Sequence, residues 1–200
     1  DSSGTLQFFA AAGAFPVRYS YGNDGYVAGG QVGYAQQHKQ WLWGVEADIS
    51  ATNVNGSQTT FLPPCGICTR ANLTTVAQDM DWFGTLRLRG GHVTGNVLVY
   101  GTAGLAYGKV KYSYLQTNVP FGGALNSAGS DSKVEVGWTA GAGIEYGIGK
   151  WSAKLEYLYY DLGEHSFSVQ HNLAPPGVLF VPEFQNRGSI LRAGLNHRFN

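Results

Sequence analysis

Apolar and polar residues alternate along much of the chain. From Val134 to Tyr146, every second residue is apolar, and the residues between them are glycine, threonine or glutamate. A period of two predicts a β-strand with one apolar and one polar face. The same alternation recurs in 41–50, 82–89, 151–160 and 191–199. Weaker versions occupy 5–14, 26–36 and 97–109, so the sequence predicts eight strands of about ten residues each.

The connections between these predicted strands alternate in length. Short connections cover 37–40, 92–96 and 147–150, and long ones cover 16–25, 52–79, 111–133 and 161–188. Short turns at one rim and long loops at the other are typical of bacterial outer-membrane barrels. We therefore predict an all-β fold, in which residues 1–200 form a single domain. The domain is an eight-stranded antiparallel up-and-down transmembrane β-barrel with short periplasmic turns and longer extracellular loops.

A soluble eight-stranded barrel, such as a lipocalin-type carrier, would show the same alternation. In that alternative, the charged residues face water and the aromatic residues fill the core. The polar face is rich in glycine and poor in lysine, however, and many large aromatic residues lie near strand ends. Rings at the ends of membrane-spanning strands form girdles at the two interfaces. The predicted periplasmic girdle contains Trp41, Trp43, Tyr146, Trp151 and Phe199, and the outer girdle contains Tyr26, Trp82, Tyr107, Trp138, Tyr157 and Tyr159.

Composition supports the membrane interpretation. Only 13% of residues are charged, whereas 14% are aromatic and 29 are glycine. So few charges argue against a soluble helical protein. The 13 basic and 13 acidic residues balance, so a nucleic-acid partner is not expected. No segment reaches the roughly 18 apolar residues that a membrane-spanning helix needs. Because the sequence starts at Asp1 and not at methionine, we expect a mature, processed form.

The polar faces of the predicted strands carry acidic and basic residues in near balance. The interior of an eight-stranded barrel is just wide enough for side chains to fill, and buried charges persist only when they are paired. We therefore predict a charge-plugged interior with a network of ion pairs; the alternative is an ion pathway or a catalytic carboxylate pair. The predicted network contains Glu46, Asp48, Glu135, Glu145, Glu156, Arg87, Arg89, Lys154, Arg192 and Arg198.

Catalysis and metal binding have little support in the sequence. A Ser-His-Asp arrangement for lipid hydrolysis would need one of five histidines. His38 and His92 fall in short turns and His197 at a strand end, whereas His165 and His171 lie in the last predicted loop with no nucleophile motif beside them. No third ligand accompanies that last pair, so no metal site is predicted. We expect a protein that is not an enzyme and has no cofactor.

Cys65 and Cys68 form a C-x-x-C motif in the second long connection. In a secreted, strand-rich chain this motif predicts a local disulfide. A ring this small restrains the loop and adds little to the stability of the fold, so the predicted disulfide is dispensable for barrel formation.

Several segments, in order, resemble one known family. They are 41–48 (WLWGVEAD), 82–87 (WFGTLR), 99–108 (VYGTAGLAYG), 136–146 (VGWTAGAGIEY), 151–157 (WSAKLEY) and 191–196 (LRAGLN). This pattern, which covers about 26–199, is similar to that of the outer-membrane immunogenic protein group of the opacity-type porin superfamily. The resemblance implies an eight-stranded OmpA-like barrel in the outer membrane of a Gram-negative bacterium. His197-Arg198-Phe199 also resembles the terminal aromatic signal that the barrel-assembly machinery reads.

The resemblance implies surface antigens and envelope-stabilising proteins, with hemin binding in some members. We therefore expect a non-enzymatic protein that acts in envelope structure and in surface interaction through its loops, with outer-membrane lipids and lipopolysaccharide as partners. A narrow porin or a hemin-binding protein is the alternative. Hemin would be held by His165, His171, Tyr159 and Tyr160. Self-association through small residues on the early strands is a further hypothesis, since small residues allow close packing in a bilayer. These residues are Ala10, Ala12, Ala28 and Gly30.

Overall fold

The computed structural model describes residues 2–10, 13–21, 27–62, 71–119, 127–166, 169–170 and 179–199. The regular structure in these residues is β-strand. The strands are β1 (Ser2–Ala10), β2 (Gly13–Tyr21), β3 (Val27–His38), β4 (Trp41–Leu62), β5 (Ala71–Thr94), β6 (Val97–Val119), β7 (Ser127–Ile148), β8 (Trp151–Ser166), β9 (Val169–Gln170) and β10 (Leu179–His197). Within the same residues, no helix has the length and hydropathy needed to cross a membrane.

All strands belong to one antiparallel sheet with the order β2-β1-β10-β8-β7-β6-β5-β4-β3, and the short β9 pairs with β10. The sheet curls into a barrel, because side chains from distant strands meet inside it. Arg192 of β10, for example, donates a hydrogen bond to Asp48 of β4. The predicted all-β, antiparallel barrel is therefore confirmed. Closure is incomplete, since the described residues show no backbone pairing between β3 and β10.

Three tight turns lie together at one end of the barrel, which we call the turn end; the opposite end is the loop end. Each turn contains one residue with a positive φ angle: Lys39 at 55°, Gly95 at 60° and Gly149 at 61°. Two-residue hairpin loops need such angles because their twist then matches that of the flanking strands. These turns confirm the predicted short connections.

The strands are longer than predicted at the loop end. β4 to β7 have 22 to 24 residues each, and most of the predicted long connections are continuations of strands. β5 and β6 stay paired from Thr94↔Val97 to Ala71↔Val119. The prediction ended each strand where its outward residues become polar. Backbone pairing continues past that point because threonine, tyrosine and valine still favour strands there.

The predicted strand 5–14 is wrong. β1 ends at Ala10 and β2 begins at Gly13, and the two strands form a hairpin that ends in the pair Ala10↔Gly13. The sequence of β2 has its own alternation of apolar residues from Phe15 to Tyr21. The prediction assigned 16–25 to a long connection, but Pro16 lies in β2, an edge strand, where proline is tolerated.

Candidate functional site

The inward faces of five strands, β4, β5, β7, β8 and β10, carry the charged residues near the turn end. Glu46 and Asp48 are two residues apart on β4, so both side chains point into the barrel, and Glu46 lies directly opposite Arg87 of β5. Lys154 and Glu156 stand on β8 in the same way. The even spacing of these residues is the reason that one short stretch of β4 or β8 delivers two charges to the interior.

Arg87 lies at the centre of this cluster. Its side chain is 0% exposed and donates hydrogen bonds to Glu46 Oε1 at 2.8 Å, Asp48 Oδ2 at 3.0 Å and Glu156 Oε1 at 3.0 Å. A buried guanidinium is tolerated only when carboxylates neutralise it and accept its hydrogen bonds. Arg87 therefore ties β4, β5 and β8 together across the interior.

Lys154 and Arg192 extend the cluster to β10. Lys154 Nζ lies 2.7 Å from Glu46 Oε1. Arg192 donates from Nε to Glu156 Oε2 at 2.6 Å and from Nη2 to Asp48 Oδ2 at 3.1 Å. Glu46, Asp48 and Glu156 thus each pair with at least two cations. Removal of one cation therefore changes the charge balance around the carboxylates that it contacts.

Arg89 and Glu145 complete the group toward the turn end. Arg89 donates to Glu145 Oε2 at 2.6 Å and to Glu46 Oε2 at 3.1 Å. Its guanidinium also lies 4.2 Å from the centre of the Tyr100 ring, which is a cation–π arrangement. We call the following set the charged network: Glu46, Asp48, Arg87, Arg89, Glu145, Lys154, Glu156 and Arg192.

Neutral polar side chains that the sequence analysis did not single out also bond to the charged network. Tyr100 donates to Glu156 Oε1 at 2.9 Å, Thr85 donates to Asp48, and Ser152 donates to Glu145. Gln31 of β3 accepts a hydrogen bond from Lys154. All four occupy inward positions of their strands, so the alternation itself was the signal that could have found them.

Two predicted members of the network lie elsewhere. Arg198 follows the end of β10; it is exposed, and the described part of the chain gives it no ion pair. Glu135 is buried but lies near the loop end, where its Oε1 is 3.9 Å from Lys133 Nζ and 3.1 Å from Nδ1 of His165. Alternation alone gave the face of these residues but not their height along the barrel axis.

His165 is a strand residue and not a surface loop residue as predicted. Gly163, with a φ angle of 82°, lies beside the register shift between β8 and β10. Such a bulge re-aims the following side chains, and His165 stacks on Tyr112 with ring centres 4.8 Å apart. Its Nε2 lies 2.9 Å from Asp131 Oδ2. That hydrogen bond lowers the pKa of Asp131 below its ordinary value.

The interior toward the loop end contains a cluster of buried apolar residues. We call its members the apolar plug: Val76, Met80, Phe83, Ala106, Val110, Tyr112, Tyr114 and Leu162. Val110 and Tyr112 are 0% exposed. Asn186 caps this region, since it donates to the Tyr112 hydroxyl at 2.6 Å and accepts from Gln78 at 2.6 Å. The apolar plug is not predicted from the sequence, because most of these residues fall in the predicted loops or at their borders.

The outward face between the two ends of the barrel is apolar and exposed. Leu88 and Val136, for example, are 67% and 62% exposed. Exposed apolar area of this extent marks a surface that water does not cover in the functional state. Beyond it toward the loop end, charged outward residues appear beside apolar ones such as Leu115, and Lys111 Nζ lies 2.8 Å from Asp81 Oδ1.

The predicted girdle residues stand at the borders of this apolar band. Near the turn end, the exposed rings are Trp41, Trp43, Tyr146, Trp151 and Phe199. At the other border, Trp138 and Tyr157 are exposed, whereas Trp82 and Tyr107 partly cover each other with ring centres 5.9 Å apart. Tyr159 packs on Trp138 at 5.4 Å. Tyr26, His171, and the predicted disulfide of Cys65 and Cys68 lie outside the described residues.

Comparison with known proteins points to one class. The profile of a family described as "Outer membrane protein beta-barrel domain" matches residues 4–176. The chain is 37% identical over 178 residues to the "31 kDa outer-membrane immunogenic protein" of Brucella melitensis, an alignment that covers 88% of this chain and 67% of that protein.

More distant relatives carry similar descriptions. The "22 kDa outer membrane protein" of Rhizobium leguminosarum is 32% identical over 161 residues, which is 76% of this chain and 61% of that protein. The "25 kDa outer-membrane immunogenic protein" of Brucella abortus is 28% identical over 147 residues, which is 73% of this chain and 56% of that protein. These relatives and the family profile agree on the fold and on the membrane.

Proposed function

We propose a function from the premise that this chain belongs to the outer membrane protein β-barrel family and lies in the outer membrane. It is a non-enzymatic barrel with a plugged interior that acts in envelope structure and in surface interaction. The observation that carries this proposal is the full burial of Arg87 among Glu46, Asp48 and Glu156. Arg87 is not reached by water and is bonded to β4 and β8. Any route through the barrel would have to pass this side chain.

The apolar plug supports the same proposal from the other end. It lies in series with the charged network, and Phe83, Val110 and Tyr112 are at most 1% exposed. An ion would have to cross an apolar segment and then displace paired charges, and both steps are unfavourable. The arrangement supports a rigid cylinder more than a transport path.

The proposed lipid partners follow from the outward surface. The apolar band suits contact with acyl chains, and the girdle rings suit the headgroup zone. Lys109 and Lys111, whose side chains are 40% and 49% exposed, lie just beyond the outer girdle; both contact Asp81, and Asp79 lies opposite Lys111 in the strand pairing. Their exposed ammonium groups can donate charge-assisted hydrogen bonds to the phosphates of lipopolysaccharide.

Further partners are proposed from exposed residues at the turn end and on β3. Phe199 is 90% exposed, so it is accessible to the barrel-assembly machinery during insertion. Ala28 and Gly30 are exposed on β3 and supply a smooth surface for self-association. Of the other two small residues in that hypothesis, Ala10 ends β1 and Ala12 lies outside the described residues.

Hemin capture is less well supported. Both ring nitrogens of His165 lie close to carboxylates, at 2.9 Å from Asp131 and 3.1 Å from Glu135, so the imidazole is engaged within the protein. Axial ligation of heme iron needs a free ring nitrogen. Titration with hemin should therefore give the same absorbance change for the wild-type protein and for His165→Ala.

Planar-bilayer recording tests the plugged interior. The wild-type protein should insert, as protease protection and heat-modifiable electrophoretic mobility would show, and should give no stable open conductance. Leu88→Ala changes only the outward face and is the matched control, so it should behave like the wild type. A stable open pore in the wild-type protein would refute the proposal.

A further inference from the structure

The turn end of the barrel carries basic residues and no acidic ones. We call four segments the turn-end rim: 36–41, 90–97, 146–151 and 196–199. They contain three cationic residues, Lys39, Lys150 and Arg198, which we call the rim cations, but neither aspartate nor glutamate. The chain as a whole has 13 basic and 13 acidic residues, so this end departs from the overall balance. All three rim cations are exposed.

The rim cations differ from the cations at the other end of the barrel. Toward the loop end, Lys111 Nζ lies 2.8 Å from Asp81 Oδ1. The rim cations, in contrast, have no ion pair within the part of the chain that the structure describes. The acidic residue that comes closest to them along the chain is Glu145, which is buried and already bonded to Arg89. The positive charge of the turn-end rim therefore remains available to an anion from outside the protein.

Two of the rim cations are held side by side by the backbone. The N–H of Arg198 donates a hydrogen bond to the carbonyl of Lys150 at 2.8 Å, and the N–H of Gly147 donates to the carbonyl of Asn96 at 2.8 Å. The Arg198 guanidinium also lies beside Gly147, where a Cβ atom would come within 3.4 Å of Nη2. Like charges directly opposite each other are unfavourable, so an anion bound at this pair would relieve the repulsion.

Aromatic rings indicate the height of this pair in the membrane. Trp151 directly follows Lys150, and Phe199 directly follows Arg198. The two rings are 56% and 90% exposed and belong to the periplasmic girdle. Girdle rings lie at the border between the acyl chains and the headgroups. The neighbouring cations therefore reach the level of the lipid phosphates.

We propose that the turn-end rim is a binding surface for anionic phospholipids of the periplasmic leaflet, in which Lys150 and Arg198 hold one lipid phosphate. An ammonium and a guanidinium both donate charge-assisted hydrogen bonds to phosphate oxygens. Lys39 adds to the attraction from the first turn. The inference rests on the proposed contact of the girdles with lipid and adds a preference for one headgroup charge at one end. Peptidoglycan is also anionic, but it would leave the rings beside the cations without a role.

Quenching of tryptophan fluorescence by brominated lipids tests the proposal at one position of the barrel. A protein that keeps only Trp151, with the other four tryptophans replaced by phenylalanine, reports on the lipid beside Lys150. A matched protein that keeps only Trp138 reports on the outer girdle. Both are placed in phosphatidylcholine vesicles that contain a minor fraction of dibrominated phosphatidylglycerol or dibrominated phosphatidylcholine. The ratio of the two quenching efficiencies gives the preference for the anionic headgroup.

We expect phosphatidylglycerol to be preferred at Trp151 but not at Trp138, which lies opposite Asp161 in the strand pairing. One cation near an anionic lipid surface is worth about five-fold in association. Lys150→Gln and Arg198→Gln should therefore each reduce the preference at Trp151 by about five-fold. Lys150→Arg retains the charge and should retain the preference. Salt at about 1 M, where charges are screened within about 3 Å, should abolish the preference without any substitution in the rim.

The outcomes separate this inference from the proposed lipid contact. If brominated phosphatidylcholine quenches neither tryptophan, the lipid contact fails and the inference fails with it. If it quenches both but phosphatidylglycerol is not preferred at Trp151, or if the preference survives in the Lys150→Gln/Arg198→Gln double variant, only the inference is overturned. Co-sedimentation with peptidoglycan sacculi that depends on the same two cations, without a lipid preference, would also overturn it. Should a variant not fold, spin-labelled phosphatidylglycerol and the wild-type protein, compared at low salt and at about 1 M salt, give the same test.

Discussion

The charged network and the apolar plug fill the same barrel with opposite chemistry. Near the turn end, inward residues such as Arg87 are ionised and outward residues such as Leu88 are apolar. Near the loop end the assignment reverses, because Tyr112 points inward at 0% exposure and Lys111 points outward. The alternation continues unbroken along β6. What changes is the medium outside, so the reversal marks the height at which the strands leave the lipid.

The comparison shows that one rule operates in two environments. Within the membrane the apolar side chains face the lipid and the charged ones pair inside, whereas above the membrane the apolar side chains face inward, away from water. At membrane level the inward face is filled by the charged network. The stability of this network depends on complete pairing of its charges. The plug is an ordinary hydrophobic core, and its stability depends on close packing.

Removal of the central cation should give the largest effect. Arg87→Ala leaves Glu46, Asp48 and Glu156 without their shared partner, and the loss of one member of a buried ion pair costs about 4 kcal/mol. Unfolding by urea in lipid vesicles should show this loss of stability. The neighbouring outward variant Leu88→Ala is the control and should lose much less. Equal stability of Arg87→Ala and the wild type would mean that the network does not support the barrel.

Truncation of the plug should cost somewhat less. Leu162 is 2% exposed, and Leu162→Ala leaves a cavity where the interior is already dry, so a loss of about 3 kcal/mol is expected. The same vesicle unfolding assay measures it. Leu105→Ala, at an outward position that is 54% exposed, is the control, because lipid refills the space. If Leu105→Ala were the more damaging variant, the assignment of faces would be incorrect.

The smallest expected effect is at the border of the plug, where Asp131 bonds His165. The pKa of Asp131 is lowered in the folded protein by the hydrogen bond from His165. A lowered folded-state pKa means that the contact stabilises the protein above the ordinary aspartate pKa of about 3.9. This stabilisation is lost as the pH falls through the lowered value.

Thermal unfolding of the wild type and of Asp131→Asn between pH 7 and pH 2 measures this contribution. The wild type should be slightly more stable at neutral pH, and the difference should vanish in the most acid samples. A difference that grows on acidification would show that the sign of the linkage is wrong.

The sequence predicted the membrane-level part of the fold well, because lipid outside and charge inside give strong alternation, as in 134–146. It failed where the outside is water. There β4 continues to Leu62 and β6 to Val119 with threonine, serine and tyrosine on the strands, a composition that also suits loops.

The candidate site was predicted in its charged members but not in its geometry. The faces of Glu46 and Arg87 follow from residue parity, which a sequence displays directly. The separation of Glu135 from the charged network depends on its height along the barrel, and the inward turn of His165 depends on the bulge at Gly163. Register and bulges arise from pairing between strands, and no single strand shows them.

Site-directed spin labelling in lipid vesicles tests the reversal of faces most directly. Single labels at Leu105, Lys111 and Thr102, in a background with Cys65 and Cys68 replaced by serine, would be exposed to oxygen, which concentrates in lipid, and to a water-soluble nickel chelate. We expect oxygen to reach the label at 105, the chelate to reach the label at 111, and neither to reach the inward label at 102. Access of the chelate to 105 or to 102 would show that the faces do not reverse.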